Sequence, residues 1–361
     1  MGFSFNKSAL DDFKKKEVCI GWILYLFLTL VLYYFIWNLW AAISFSLAAY
    51  AVIWNDAVQT LMTFINSNND INWKILFALA WVLMLWVLWY WYLAHGWDIT
   101  YWRLDAKWYV DIDIKWYIPL FPLLLVFLTR FIWIPVSTSL LMLSIFSWTL
   151  LFEKILTKSA LWYGVSFLSA FVVYVVVESF ISKIKIKFND KESRKSIYLR
   201  SLQFLTTGLL FWTWLMHDMV NIAVFLQDPI TLPVMITISL LFMLGLFYTF
   251  YINWWPVGDI VTNKTTTNEI LSATLIDFIY FLILLYFKEL NDIPMSTTWV
   301  FVWLLAWRQF GIRVVNRIDK VKKWSRMMVA LRESANDFWK LMIWLWISLV
   351  ALVIVRSLTW T

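Results

Sequence analysis

The chain has 361 residues, of which 62% are hydrophobic and 15% charged, with a formal net charge of +7. A soluble domain of this length would carry about 25% charged residues. Here the charges gather between long apolar runs, which excludes an ordinary soluble fold and points to a membrane bundle. The runs are too unbroken for an outer-membrane barrel, whose strands alternate, and the single cysteine, Cys19, excludes an intramolecular disulfide.

A bilayer-spanning helix needs about 20 consecutive apolar residues. By that measure the sequence predicts an all-α polytopic membrane protein with about 11 hydrophobic segments. A leading segment lies at 19–36. It follows a polar, Lys-rich start without a small-residue cleavage site, so no cleavable signal peptide is expected. A first set of five follows at 38–60, 73–95, 116–134, 135–152 and 160–181. After a polar loop comes a second set at 202–226, 229–253, 269–287, 294–310 and 337–357. Some are short enough to be re-entrant half-helices. The expected divisions are 1–37 (N-terminal segment and leading helix), 38–182 (repeat 1), 183–200 (basic loop) and 201–361 (repeat 2).

Three stretches are basic: Lys7 to Lys16, Lys183 to Arg200, and Arg308 to Arg332. Basic loops stay on the cytoplasmic side, which explains the charge without a nucleic-acid partner. The expectation is a multi-pass cell-membrane protein with a cytoplasmic N-terminus. Counting crossings from there, the two sets of five enter the membrane from opposite sides, as two inverted-topology repeats would.

Polar residues inside the apolar runs repeat in the same order. The first segment of set one carries Asn55-Asp56-Ala57-Val58-Gln59, and that of set two carries His217-Asp218-Met219-Val220-Asn221. The fourth segments open with Pro135-Val136-Ser137-Thr138-Ser139 and Pro294-Met295-Ser296-Thr297-Thr298. The offset from Asn55 to Pro135 is 80 residues, and from His217 to Pro294 it is 77. Proline in the first turn gives up no needed N–H, and a helix N-terminus with hydroxyl side chains favours an anion. Two such half-helices would form a hydroxyl-lined cup. The carboxylates then need a Na⁺ or proton partner, because an unpaired charge in the membrane is costly. Paired motifs in opposite orientations fit the plan of secondary transporters.

These residues resemble the inorganic phosphate transporter (PiT) family, marked by a Gly-x-Asn-Asp-x-x-x-Asn-type motif and a Pro-x-Ser-Thr-Thr motif in each inverted repeat. The similarity spans roughly 40–310. It implies phosphate contacts from Asp56, Ser137, Thr138, Ser139, Asp218, Ser296, Thr297 and Thr298. It implies cation contacts from Asn55, Asp56, Gln59, His217, Asp218 and Asn221. It also implies phosphate symport with Na⁺ or H⁺, no other cofactor, no metal beyond Na⁺, no enzymatic activity and a homodimer. The chain departs from the pattern: Gln59 and His217 stand where the family has Asn, and Leu140 and Trp299 stand where it has His. A titratable His217 beside Asp218 is a route to proton coupling. Three alternatives stay open: a carrier of another oxyanion such as sulfate, a membrane-embedded enzyme using His217-Asp218, and a scaffold or sensor that binds substrate without moving it.

The chain holds 8 Gly and 28 Trp, together about a tenth of its residues. Glycine averages about 7% of proteins, and tryptophan belongs at membrane interfaces rather than along a whole segment. Trp54 sits beside Asn55-Asp56, and Trp303 and Trp307 follow Ser296-Thr297-Thr298 where small residues are expected. Two readings fit: a Trp-rich chain, or a bacterial gene that uses UGA for glycine and has been translated with UGA as tryptophan. Among other polar residues, Asp277 either lines the pathway or makes a structural hydrogen bond, Arg130 snorkels, His95 lies at an interface, and Glu178 is solvated.

Overall fold

The computed structural model describes residues 7–96, 114–128, 197–226, 230–252 and 270–286, with single positions at 138 and 141 and within 297–304 and 328–357. Among the described residues every element is helical. The expected segments 135–152, 160–181, 294–310 and 337–357 lie outside them wholly or in most positions, as do Arg130 and Glu178.

Helix α1 (Lys7–Ile36) starts well before the expected 19–36 segment, so the Lys14–Lys16 run is part of the same helix. It ends at Trp37, whose φ is +56° and whose N–H bonds Tyr33 O at 2.8 Å. Asn38 then caps α2 (Leu39–Val52), its side-chain oxygen accepting from Ala41 N at 3.0 Å. A five-residue π-helical turn, Ile53–Ala57, follows, and α3 (Val58–Ser67) continues the chain. The helix up to Ala57, π turn included, and the helix from Gln59 are bent by 45° from one another. The helical stretch expected at 38–60 therefore runs on to Ser67 and bends in its middle. A π turn widens the ladder and frees backbone carbonyls. The Thr60 hydroxyl takes one of them, donating to Ala57 O at 2.9 Å.

Helix α4 (Trp73–Ala94) matches its expected segment. Asn72 caps it through Lys74 N at 3.0 Å, and His95 and Gly96 (φ +64°) close it. The His95 ring stacks on Trp91 with centroids 4.2 Å apart. Then come α5 (Leu120–Phe127), α6 (Ile197–Ala223), α7 (Leu232–Ile252) and α8 (Ile270–Leu284). Because α6 begins at Ile197, the last residues of the expected basic loop 183–200 are helix.

Helices α4 and α7 are each long and apolar enough to cross a membrane, and α2 with α3 makes a third if the bent pair is one span. The outer faces suit lipid. Ile23, Leu26, Phe27, Leu30, Val82, Trp86, Leu93 and Leu205 are more than half exposed, while Asn55, Asp56, Gln59, Thr63, Gln203, Asp218 and Asp277 are buried. Large exposed apolar faces mark a surface that something apolar must cover. This is a helical membrane protein with its polar groups inside.

The packing sets the site. Helix α8 lies on α6 and α3, α1 lies on α2 and α7, α4 lies on α6 and α7, and α2 lies on α5. Helices α3 and α6 run antiparallel. Thr63 and Thr207 meet at one level, through Asp277. Asn68 and Gln203 meet one turn on, where the amide of Asn68 donates to Gln203 Oε1 at 2.9 Å. Beyond them Arg200 pairs with Asp70.

Helix α7 supports the π turn through Gly245. A Cβ added there would lie 2.6 Å from Ile53 Cδ1, the first residue of the turn. Gly245→Leu is expected to cost about 1–3 kcal/mol by overpacking. Thermal unfolding in detergent would read the loss, and an unchanged midpoint would show that α7 does not brace the turn.

Several tryptophans sit awkwardly. Trp37 takes the left-handed backbone position that ends α1, a place where glycine is the usual residue. Trp54 and Trp214 are buried, at 5% and 1% exposure. Among the described residues the enclosed indole N–H groups of Trp81 and Trp214 have no acceptor, although a buried indole ordinarily finds one.

A candidate anion site at the broken helix

The π turn carries Asn55 and Asp56 into the interior, where both have 0% exposure. Three donors converge on the Asp56 carboxylate. Thr138 Oγ1 donates to Oδ2 at 2.5 Å, Thr298 Oγ1 donates to Oδ1 at 3.0 Å, and Asn55 Nδ2 donates to Oδ1 at 2.5 Å. Asn55 Nδ2 also reaches Thr298 Oγ1 at 3.4 Å, and Gln59 Nε2 reaches Asn55 Oδ1 at 3.4 Å. The Gln59 side-chain oxygen is buried and without a hydrogen-bond partner among the described residues.

The two hydroxyl-bearing runs, far apart in sequence, thus each send one threonine to the same carboxylate. Their use is not symmetric. Thr138 is the third residue after its proline, and Thr298 is the fourth after its own. The residue matching Thr138 in the second run is Thr297; it is buried, and its carbonyl accepts from Tyr280 OH at 2.9 Å. That bond ties the second run to α8. Ser137, Ser139 and Ser296 lie outside the described residues.

His217, Asp218 and Asn221 lie on α6. His217 and Asp218 are buried, at 3% and 0% exposure, and Asn221 is half-buried. The repeat leads one to expect the same setting as Asn55-Asp56, but α6 is unbroken here. One residue accounts for part of the difference. Thr60 bonds a carbonyl freed by the π turn, and the matching position in α6 is Ile222, which has no hydroxyl. Depth agrees better than conformation. At about 1.5 Å per residue, Asp56 stands about 18 Å from the Asn68–Gln203 level and Asp218 about 22 Å.

Asp277, expected either to line the pathway or to make a structural hydrogen bond, is hydrogen-bonded at a second polar level whose partners were not picked out from the sequence. Thr63 Oγ1 and Thr207 Oγ1 donate to the two oxygens of Asp277, each at 2.5 Å. The signal was present as spacing. Asp56, Thr60, Thr63 and Ser67 recur every three or four residues along one helix face, and Arg200, Gln203 and Thr207 do so on the facing helix. Among the described residues no group of three His, Cys, Asp or Glu side chains is placed to hold a metal ion.

Compared with protein-family models, with curated proteins and with solved structures, the chain matches none of them. The geometry therefore carries the functional argument.

Proposed function

We propose that this chain is a secondary transporter that moves inorganic phosphate across a membrane by symport with Na⁺ or H⁺. The observation that carries the reading is the meeting of Thr138 and Thr298 on Asp56 at the break in the α2–α3 helix. Two hydroxyls that donate to carboxylate oxygens can donate equally well to phosphate oxygens. The Asp56 carboxylate thus stands in the place of an oxyanion, and phosphate has to displace it. Neutralising Asp56 with a proton or Na⁺ weakens its hold on the hydroxyls and removes its repulsion of the anion. The cation accordingly binds first, with the carboxamide oxygens of Asn55 and Gln59 as further ligands for Na⁺. This order couples the two fluxes.

Other features support the same reading. A discontinuous helix at mid-bundle is the usual setting of transporter sites. The antiparallel course of α3 and α6 is the relation that inverted repeats require of their first members. Arg200, which pairs with Asp70, is the last residue of the basic central loop, which the positive-inside rule assigns to the cytoplasm. Counting crossings from a cytoplasmic N-terminus puts the end of α3 on that same side.

A test lies in the hydroxyls. A hydrogen bond to a charged group is worth about 1.5–3 kcal/mol. Thr138→Val and Thr298→Val should therefore each raise the phosphate KM for uptake about tenfold or more. Thr213→Val is the control, since among the described residues that hydroxyl bonds only within its own helix, to Leu210 O at 2.9 Å and Leu209 O at 3.2 Å. Equal KM values for all three would remove the hydroxyl cup from the account.

A further inference from the structure

We propose that Asp277, held between Thr63 and Thr207, is a proton-binding site of the transport cycle, set between the Asp56 cup and the Arg200 end of the bundle. The inference rests on the transporter reading and adds the coupling ion and its route.

Asp277 is 1% exposed and sits where three helices meet. Thr63 comes from α3, Thr207 from α6, and Asp277 from α8. Among the described residues no cationic group reaches the carboxylate. Helix α3 contributes no titratable side chain. Helix α6 contributes none between Arg200 at its exposed end and His217 near the other, and α8 itself adds only Tyr280, whose hydroxyl is engaged by Thr297 O. A lone carboxylate so placed is costly in its charged form, and binding a proton is the change that relieves it.

The ligand set selects a proton over a metal cation. Both carboxylate oxygens already accept hydroxyl hydrogens, and among the described residues no group of three His, Cys, Asp or Glu side chains is placed to hold a metal ion. A proton needs less. When Asp277 is protonated, its O–H points to one threonine oxygen. That hydroxyl then turns its own hydrogen toward the backbone carbonyl four residues earlier, Gln59 for Thr63 or Gln203 for Thr207, a bond threonine commonly makes in helices. No covalent bond is made or broken besides the O–H.

The site is connected in both directions. Toward the Arg200 end, Ser67 Oγ donates to Thr63 O at 2.8 Å, Gln203 Nε2 donates to Ser67 Oγ, and Asn68 bonds Gln203. Arg200 and Asp70 close the row at partial exposure, 25% and 47%. Toward the cup, Thr60 and Gln59 lie one turn from Thr63, and Asp56 lies about 10 Å away along the shared helix. Protonation of Asp277 alters the bonds of Thr63, and α3 joins Thr63 to the bend that holds Asp56. The two sites thus share one helix as their link.

Infrared difference spectra of the full chain in liposomes give the direct test, since they require no transport. Acidification should produce a carboxylic-acid C=O band that is missing in Asp277→Asn, and replacing Na⁺ with choline should leave it unchanged. In vesicles preloaded with phosphate, Asp277→Asn should keep phosphate–phosphate exchange. Its accumulation driven by a proton gradient should fall about tenfold or more, the ordinary size of a coupling between two sites. An identical C=O band in the variant, or a band suppressed by Na⁺, would overturn the proton site. A protein that shows the band and its loss but carries no phosphate would sink the transporter reading and leave Asp277 as a proton site.

Discussion

Asp56→Asn is expected to abolish cation-driven phosphate accumulation while leaving the protein folded. The substitution keeps the shape of the side chain and one oxygen to accept from Thr138 or Thr298, but it removes the charge. Without the charge no cation-dependent release of the hydroxyls remains, so accumulation falls to the level seen without a gradient. Two further effects go with it. The cation loses its carboxylate, so uptake stops depending on the cation gradient. Phosphate binding itself can improve, because the competing carboxylate has gone. Calorimetric titration of phosphate beside gradient-driven uptake separates these: retained binding with lost accumulation is the expected pair. Lost binding together with retained unfolding cooperativity would make Asp56 a direct phosphate ligand and not its competitor.

The second large effect concerns the tryptophans. Codons at Trp37, Trp54, Trp214, Trp303 and Trp307 are expected to read UGA, and the natural protein to carry glycine there. Trp37 gives the clearest structural reason. It occupies a left-handed backbone conformation at φ +56°, as Gly96 does at +64°. A side chain with a Cβ is strained there by about 1–2 kcal/mol, so Trp37→Gly should stabilise the protein by about that much. Trp214 gives the opposing test. If it is a genuine core residue, cutting it back costs about 3–5 kcal/mol, and Trp214→Gly should unfold far earlier in detergent. If glycine is native, the glycine form is the one that inserts and folds. UGG codons at these positions end the idea at once. Trp303 and Trp307 lie outside the described residues and enter on sequence grounds alone.

Much of the interior was legible in the sequence because polar residues inside apolar runs have few bland explanations. Repeated order and spacing singled out Asp56 and the two hydroxyl runs, but not the direct bonds from Thr138 and Thr298 to that carboxylate. Helices α4 and α7 were legible from their apolar lengths, which leave little choice of state. What the sequence concealed was local. The π turn at Ile53–Ala57 has no composition of its own; it is stabilised by Thr60, a residue that reads as ordinary helix. The start of α1 was hidden because Lys-rich stretches look like loops, yet lysine is a good helix former. Asp277 was visible as a lone carboxylate, but its partners Thr63 and Thr207 sit on two other helices, and only packing joins them.

The central claim is that Asp56 and the two hydroxyl runs form a cation-dependent phosphate site. Uptake of labelled phosphate by the full chain in proteoliposomes tests it most directly, under a proton gradient, a Na⁺ gradient and neither. Accumulation is expected with an inward proton gradient, none without a gradient, and its loss in Asp56→Asn. Absence of uptake under every gradient, from protein that unfolds cooperatively and was made with the correct codon assignment, would contradict it.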